Sequence, residues 1–337
     1  MSRQHPVILA TGSAVPDRVV TNAEVDALIG ASTDAWLVAN VGIRERRWLA
    51  DGQTTSDLVV LAAQRALARA GITAAQLDLI IVSTDTPDML SPATATVVQH
   101  RLGAADAAAW DLNAACAGWV VALDQAARWL RTEPGARYVL VAGGYAMSRF
   151  LDLRDKKTAN LFGDGAGAAV LGCGDQAGWL ASRVRTIGAY HDALGIYGGG
   201  AARPSTAETV AQYGAPHVEF VRPFPRNFNT EVWPQVIDDA LRRAGLGRAA
   251  VDHFFFTQLN LRTIEAVMQQ LGQPLGKTHW VMDRWGYTGS PCVVMALDDA
   301  ISRGRGPRPG QVVLFCASGG GITVAASVWR WAAHHAG

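Results

Sequence analysis

Among the side chains of this 337-residue chain that could do covalent chemistry, Cys116 has the most informative setting. It lies in WDLNAACAGWVVALDQAARWL, where an apolar run ending at Asn113 passes through small residues into an amphipathic segment. That pattern predicts a strand, a tight turn and a helix, with the thiol at or just before the helix N-terminus. Unpaired N–H groups and the helix dipole favour a thiolate there. Ala114, Ala115, Ala117 and Gly118 leave room for a substrate, so the residue types fit a nucleophile. They fit a buried small hydrophobe equally well, which is the ordinary place of a free cysteine. Cys173, Cys292 and Cys316 stand in apolar or Gly-rich stretches without a basic neighbour and read as packing residues. No CxxC pair points to zinc or to a redox dithiol, which fits a reducing cytoplasm.

The elements that must position Cys116 are announced by an internal repeat. The stretch AQRALARAGITAAQLDLIIVST matches IDDALRRAGLGRAAVDHFFFTQ, pairing Ala66, Leu67, Ala70, Gly71 and Asp78 with Ala240, Leu241, Ala244, Gly245 and Asp252 at an offset of 174. Leu123, Asp124 and Ala126 pair with Leu297, Asp298 and Ala300 at the same offset, as do Val139 and Leu140 with Val313 and Leu314. Separate segments in one register imply a duplication, with halves at 1–174 and 175–337. Each half predicts a helix (about Ser56 to Ala70, then Glu231 to Ala244) that stops at Ala-Gly. A buried strand follows, DLIIVST or HFFFTQ. A second helix, a second strand (Ala109 to Asn113, then His279 to Asp283), a third helix and a third strand complete each half. Strands alternating with helices predict an α/β architecture. Thr86 to Gln99, Tyr145 to Thr158 and, longest, Ile187 to Pro225 read as irregular segments, the last as a lid or pocket wall.

Composition excludes several classes of function. Hydrophobic residues make 49% and charged residues 18% of the chain, against roughly 45–50% and about 25% in ordinary globular domains, so the chain can bury a large core. Thirty Lys and Arg against 29 Asp and Glu leave no field to gather a polyanion, which sets nucleic acid aside. The N-terminus MSRQHPVILATG lacks the apolar run of a secretory leader and reads as a first strand. Each apolar stretch is broken well before the roughly 18 residues of a spanning helix, so no membrane is expected.

The segments DLNAACAGW, NLFGDGAGAAVL, QLNLR, DRWGYTGS and SGGGITVAASVWRW, in this order over nearly the whole chain, resemble the β-ketoacyl-acyl carrier protein synthase III family of thiolase-fold enzymes. The resemblance implies two duplicated halves in a five-layered α-β-α-β-α stack. It makes Cys116 the residue that takes an acyl group from coenzyme A as a thioester, and gives the N–H groups of Cys116 and Gly320 to an oxyanion hole. By themselves, Gly319, Gly320 and Gly321 read as a tight turn. The family's PHQAN stands here as FTQLN and its GNTSAAS as GYTGSPC, which puts Thr257 at the catalytic histidine position and Tyr287 at the catalytic asparagine position. Neither offers an imidazole or a carboxamide. His191, in AYHDALGIYGGG, is the candidate for a replacement base.

The same resemblance gives Trp36 to the adenine of coenzyme A, Lys156 to a phosphate, and Asn260 and Arg262 to the pantetheine arm and a carrier-protein surface. Asn40 replaces a family arginine. Ser91 stands where the family has an aromatic that the partner subunit inserts into the acyl pocket, which implies a roomier pocket and a homodimer. No resident cofactor or metal is implied; an acyl-coenzyme A or phosphopantetheine thioester is the substrate. The function expected is acyl transfer through Cys116 to an acceptor in fatty-acid-like or secondary metabolism. The alternatives are a decarboxylative Claisen condensation in a rebuilt site and a non-catalytic partner subunit of a heterodimeric synthase.

Overall fold

The computed structural model describes residues 5–176, 178–225 and 227–332. In the first half, strand β1 (His5–Ala14) is followed by helices α1 (Asp34–Asn40) and α2 (Thr55–Ala70), strand β2 (Leu79–Ser83), helix α3 (Thr94–Leu102), strand β3 (Ala108–Leu112), helix α4 (Gly118–Thr132) and strands β4 (Val139–Tyr145) and β5 (Gly165–Gly174). The strands form one sheet in the order β1-β5-β4-β2-β3. Strand β2 runs parallel to both β3 and β4. Every residue of LIIVS and VLVAGGY is buried, as parallel strands covered on both faces require. Helix α2 starts in a capping box between Thr54 and Asp57 and stops at Gly71 (φ 68°).

The second half repeats the plan. Strand β6 (Trp179–Thr186) leads through the small paired strands β7 (Leu194–Ile196) and β8 (Val218–Phe220) to helix α5 (Phe228–Ala244), strand β9 (His253–Phe256), helices α6 (Leu261–Gln270) and α7 (Cys292–Ser302), and strands β10 (Val312–Gly319) and β11 (Thr323–Arg330). The sheet order β9-β10-β11-β6 mirrors β2-β4-β5-β1 of the first sheet. Helix α5 stops at Gly245 (φ 69°), 174 residues after the stop of α2.

Helices α4 and α7 lie between the sheets and touch strands of both, while α2 and α5 cover the outer faces. Nine consecutive residues of α7, Cys292–Ala300, are buried, as a helix enclosed on all sides requires. This is the five-layered α-β-α-β-α stack of the thiolase fold. No described helix is long and apolar enough to cross a membrane.

One expected strand is absent. His279 to Asp283 is irregular backbone that enters a short helix at Met282–Trp285, with a single bridge from Thr278 to Phe254. The buried Gln258 side chain takes the place of a ladder: its Oε1 accepts the Val281 N–H (2.9 Å) and its Nε2 donates to the His279 carbonyl (3.4 Å). The segment Ile187 to Pro225 is less irregular than expected, because it folds into the β7–β8 ribbon and a helix at Ala207–Tyr213.

Candidate active site

Strands β2, β3 and β4 end on one side of the first sheet, and the site is assembled there, where parallel sheets place their ligands. After β3, the Asn113 side chain accepts the Ala115 N–H (2.9 Å), and Ala115 takes a left-handed conformation (φ 46°) that alanine adopts only under constraint. The turn closes with Ala117 N–H on the Ala114 carbonyl (3.2 Å) and α4 begins at Gly118. The end of β10 presses on this turn. A Cβ on Gly319 would lie 2.5 Å from the Ala114 carbonyl oxygen and 2.8 Å from the Cys116 nitrogen, so glycine is needed there for close approach.

Cys116 is 8% exposed and opens on a cavity of about 700 Å³. Asp85, Tyr145, Lys157, His191, Tyr287 and Gly320 share its lining. Its outer wall is apolar and comes from the β7–β8 ribbon and the segment after it, including Leu194, Ile196, Phe220 and Phe224. The Tyr287 phenol comes within reach of the Cys116 sulfur, and its ring packs on Phe162 at 5.6 Å. Burial pushes the thiol well above its ordinary range; the nearby Asp85 carboxylate adds to the rise, and the Tyr287 phenol only partly offsets it. The expected resting thiolate is therefore corrected to a neutral thiol, because desolvation outweighs the helix end. Burial likewise pushes the Tyr145 and Tyr287 phenols up. It lifts the Asp85 carboxyl to about 6.

A second cavity of about 250 Å³ is lined by Trp36, Thr257 and Asn260. Leu161, Asn229, Leu259, Thr263 and Ser318 line both cavities, so the two adjoin. Trp36, on α1, is 59% exposed at the outer end. Asn260 caps α6, its side-chain oxygen accepting the Thr263 N–H (3.3 Å). The Thr257 hydroxyl accepts the Ser318 N–H (3.0 Å), so Thr257 borders the passage rather than the Cys116 cavity.

Three of the residues that the resemblance assigns to binding lie outside the two cavities, on the surface. Lys156 and Lys157 are both exposed, and of the two only Lys157 lines the Cys116 cavity, its N–H bonded to the Asp155 carboxylate (2.9 Å). Arg262 and Ser91 are exposed and line neither cavity. Cys173, expected inside, is exposed near the end of β5, whereas Cys292 and Cys316 are buried. Sequence reasoning missed Asp85, Tyr145 and Asn229. The signal for the first two was available: Asp85 follows the apolar run LIIVS and Tyr145 ends VLVAGGY, and residues at the C-terminal ends of parallel strands face such sites.

Comparison with known proteins gives the same assignment. The family described as 3-oxoacyl-[acyl-carrier-protein (ACP)] synthase III matches residues 110–188, and its C-terminal counterpart matches residues 241–331. Acetoacetyl CoA synthase NphT7 of Streptomyces sp. (strain CL190) is 40% identical over 330 residues, covering 96% of this chain and 98% of that protein. The β-ketoacyl-[acyl-carrier-protein] synthase III of Laribacter hongkongensis is 40% identical over 315 residues, covering 94% and 96%. The crystal structure of 3-oxoacyl-[acyl-carrier-protein] synthase III from Aquifex aeolicus superposes with a TM-score of 0.86 at 30% identity, covering 97% of this chain and 100% of that one. A cysteine at a strained strand-to-helix turn, a two-part cavity leading to it and relatives of matching length agree: the chain belongs to the 3-oxoacyl-[acyl-carrier-protein] synthase III family.

Proposed function

We propose that this enzyme loads an acyl group from an acyl-coenzyme A or acyl-carrier thioester onto Cys116 and passes it to an acceptor in fatty-acid-like or secondary metabolism. The observation that carries this reading is the adjoining pair of cavities, with Trp36 at one end and the Cys116 sulfur at the other. A pantetheine arm would follow that line, with the adenine against the indole face. The sulfur attacks the thioester carbonyl, the Cys116 and Gly320 N–H groups receive the developing oxyanion, and the Tyr287 hydroxyl supports the sulfur as it gains charge. The apolar wall then receives the acyl chain.

The acceptor step is where this chain parts from the family pattern. The Thr257 hydroxyl accepts the Ser318 N–H and borders the passage rather than the Cys116 cavity, and the Tyr287 phenol lies at the sulfur. Neither supplies the imidazole and carboxamide that would hold a malonyl thioester as it loses carbon dioxide. Transfer to oxygen, nitrogen or sulfur is therefore the first reading. Carbon–carbon bond formation is the second, favoured by the 40% identity to an acetoacetyl CoA synthase. The family resemblance also supports a homodimer, with the sheets joining at the open edge strand β3.

Intact-mass analysis after incubation with short and medium acyl-coenzyme A tests the first half. The wild type gains one acyl mass and Cys116→Ala gains none; a wild type without an adduct overturns the reading. Added malonyl thioester separates the two acceptor readings, since rapid carbon dioxide release by the wild type would favour condensation.

A further inference from the structure

The Cys116 cavity holds a carboxyl group that the steps above leave unused. Asp85 lies two residues past β2, the strand between β3, which leads to Cys116, and β4, which ends in Tyr145. It lines the cavity, and its Oδ1 is buried with no hydrogen-bond donor among the described residues. Other carboxylates around this end of the sheet are satisfied. Asp88 accepts the Ser56 N–H and the Thr54 hydroxyl, Asp111 accepts the Thr94 and Ala95 N–H groups, and Asp164 accepts the Leu49 and Ser148 N–H groups. A buried oxygen without a donor is unfavourable, and persists where a ligand or a reaction supplies the missing proton.

We propose that Asp85 is the proton acceptor of this site, taking the Cys116 proton as the sulfur attacks and the acceptor's proton when the acyl group leaves. The proposal rests on the reading of Cys116 as acyl carrier. In the first half-reaction the Cys116 Sγ–C bond forms and the carbonyl carbon's bond to the pantetheine sulfur breaks. The thiol proton passes to Asp85 and on to the departing sulfur. In the second half-reaction the acceptor's X–H bond breaks and X–C forms. The Sγ–C bond then breaks, and the proton returns through Asp85 to Cys116. No oxidant, reductant or further reactant is required.

The requirement for a base is set by the neutral buried thiol and by the missing imidazole. Asp85 is close enough for its charge to act on both the Cys116 thiol and the Tyr145 phenol. Burial holds its carboxyl at about 6, so it is ionised yet still basic near neutral pH. The other titratable groups about the site are Tyr287 and Cys292 from the second half, and Lys157 and His191 on the cavity wall. His191 is exposed on the outer wall, and no hydrogen bond among the described residues ties its ring to the sulfur.

The test is the rate at which the full-length enzyme acquires an acyl mass from acyl-coenzyme A between pH 5 and 8.5. The wild-type rate rises through an inflection between pH 5 and 7. Asp85→Asn lowers it by about 10²–10⁴-fold and removes the inflection, and Asp85→Glu restores part of the rate. If Asp85 acts only as a charge that opposes thiolate formation, Asp85→Asn acylates as fast as the wild type or faster, which overturns the proposal. Should Asp85→Asn not fold, a wild-type profile without the inflection overturns it as well. A wild type that gains no acyl mass at any pH refutes the Cys116 reading itself, and this proposal with it.

Discussion

At Asp85 the interests of chemistry and of folding are opposed. Its carboxyl titrates near 6 in the folded chain, against 3.8 for the ordinary group, so between those values the native state binds more protons than the unfolded state. Stability is then fully present below about pH 4, falls as pH rises, and above pH 6 is lower by roughly 3 kcal/mol. Asp85→Asn, which removes the charge and keeps the shape, is expected to raise the unfolding temperature at pH 8 and leave it nearly unchanged at pH 4. Thermal unfolding at the two pH values checks this, and equal shifts at both would argue against a desolvated carboxylate. A substitution that strengthens the fold while slowing the reaction marks a group kept for function. Cys116 follows the same physics. Its strand-to-helix position was legible from DLNAACAGW, but its protonation was not, because desolvation depends on what packs around the sulfur.

The elements deliver that sulfur through close backbone contact. The turn after β3 holds its left-handed Ala115 with the Asn113 side chain on its N–H and the end of β10 lying against it, and Gly319 is the residue that allows this approach. Gly319→Ala would put a methyl group within 3 Å of three backbone atoms of the turn. Such overpacking costs about 1–3 kcal/mol, and because backbone must move, the acylation rate of Cys116 is expected to fall at least about tenfold, as displaced nucleophiles do. Unfolding midpoints and the intact-mass assay read the two effects separately. The sequence could place a turn at Gly319–Gly321. It could not show that Ala114 to Ala117, some two hundred positions earlier, is what the first of those glycines accommodates. The missing strand at His279–Asp283 has a similar origin: its apolar pattern was right for a strand, but a buried glutamine side chain satisfies the backbone groups a neighbouring strand would have bonded.

Across the whole molecule the duplication has been retained in plan and altered in detail. Asp124 on α4 and Asp298 on α7 stand 174 residues apart and correspond to each other. Asp124 bonds Arg128 on its own helix (2.9 Å), and its other oxygen has no partner among the described residues. Asp298 binds the hydroxyls of Thr11 (2.7 Å) and Ser13 (2.6 Å) on β1 and pairs with Arg69 on α2, tying the second half to the first. Asp298→Ala is expected to destabilise by about 2 kcal/mol, since it strands the buried Thr11 hydroxyl and removes the bond to Ser13. Asp124→Asn is expected to cost under about 1 kcal/mol, as its partner is half-exposed. Denaturant midpoints of the two variants test the contrast, and equal losses would refute it.

Read alone, the chain specified whatever is local or periodic. The helix stops at Gly71 and Gly245, the buried runs LIIVS and HFFFTQ, the nucleophile's turn and the repeat at 174 are all written in contiguous residues, as are the motifs that carry the family resemblance. Asp85 looked like any loop acid until packing buried its oxygen in the wall of the Cys116 cavity, and Lys157 could not be told from Lys156 until the fold put it alone of the two on that wall. Burial, protonation and the joining of two cavities depend on groups brought together from both halves. Their free energies come from what surrounds a side chain rather than from its neighbours along the chain.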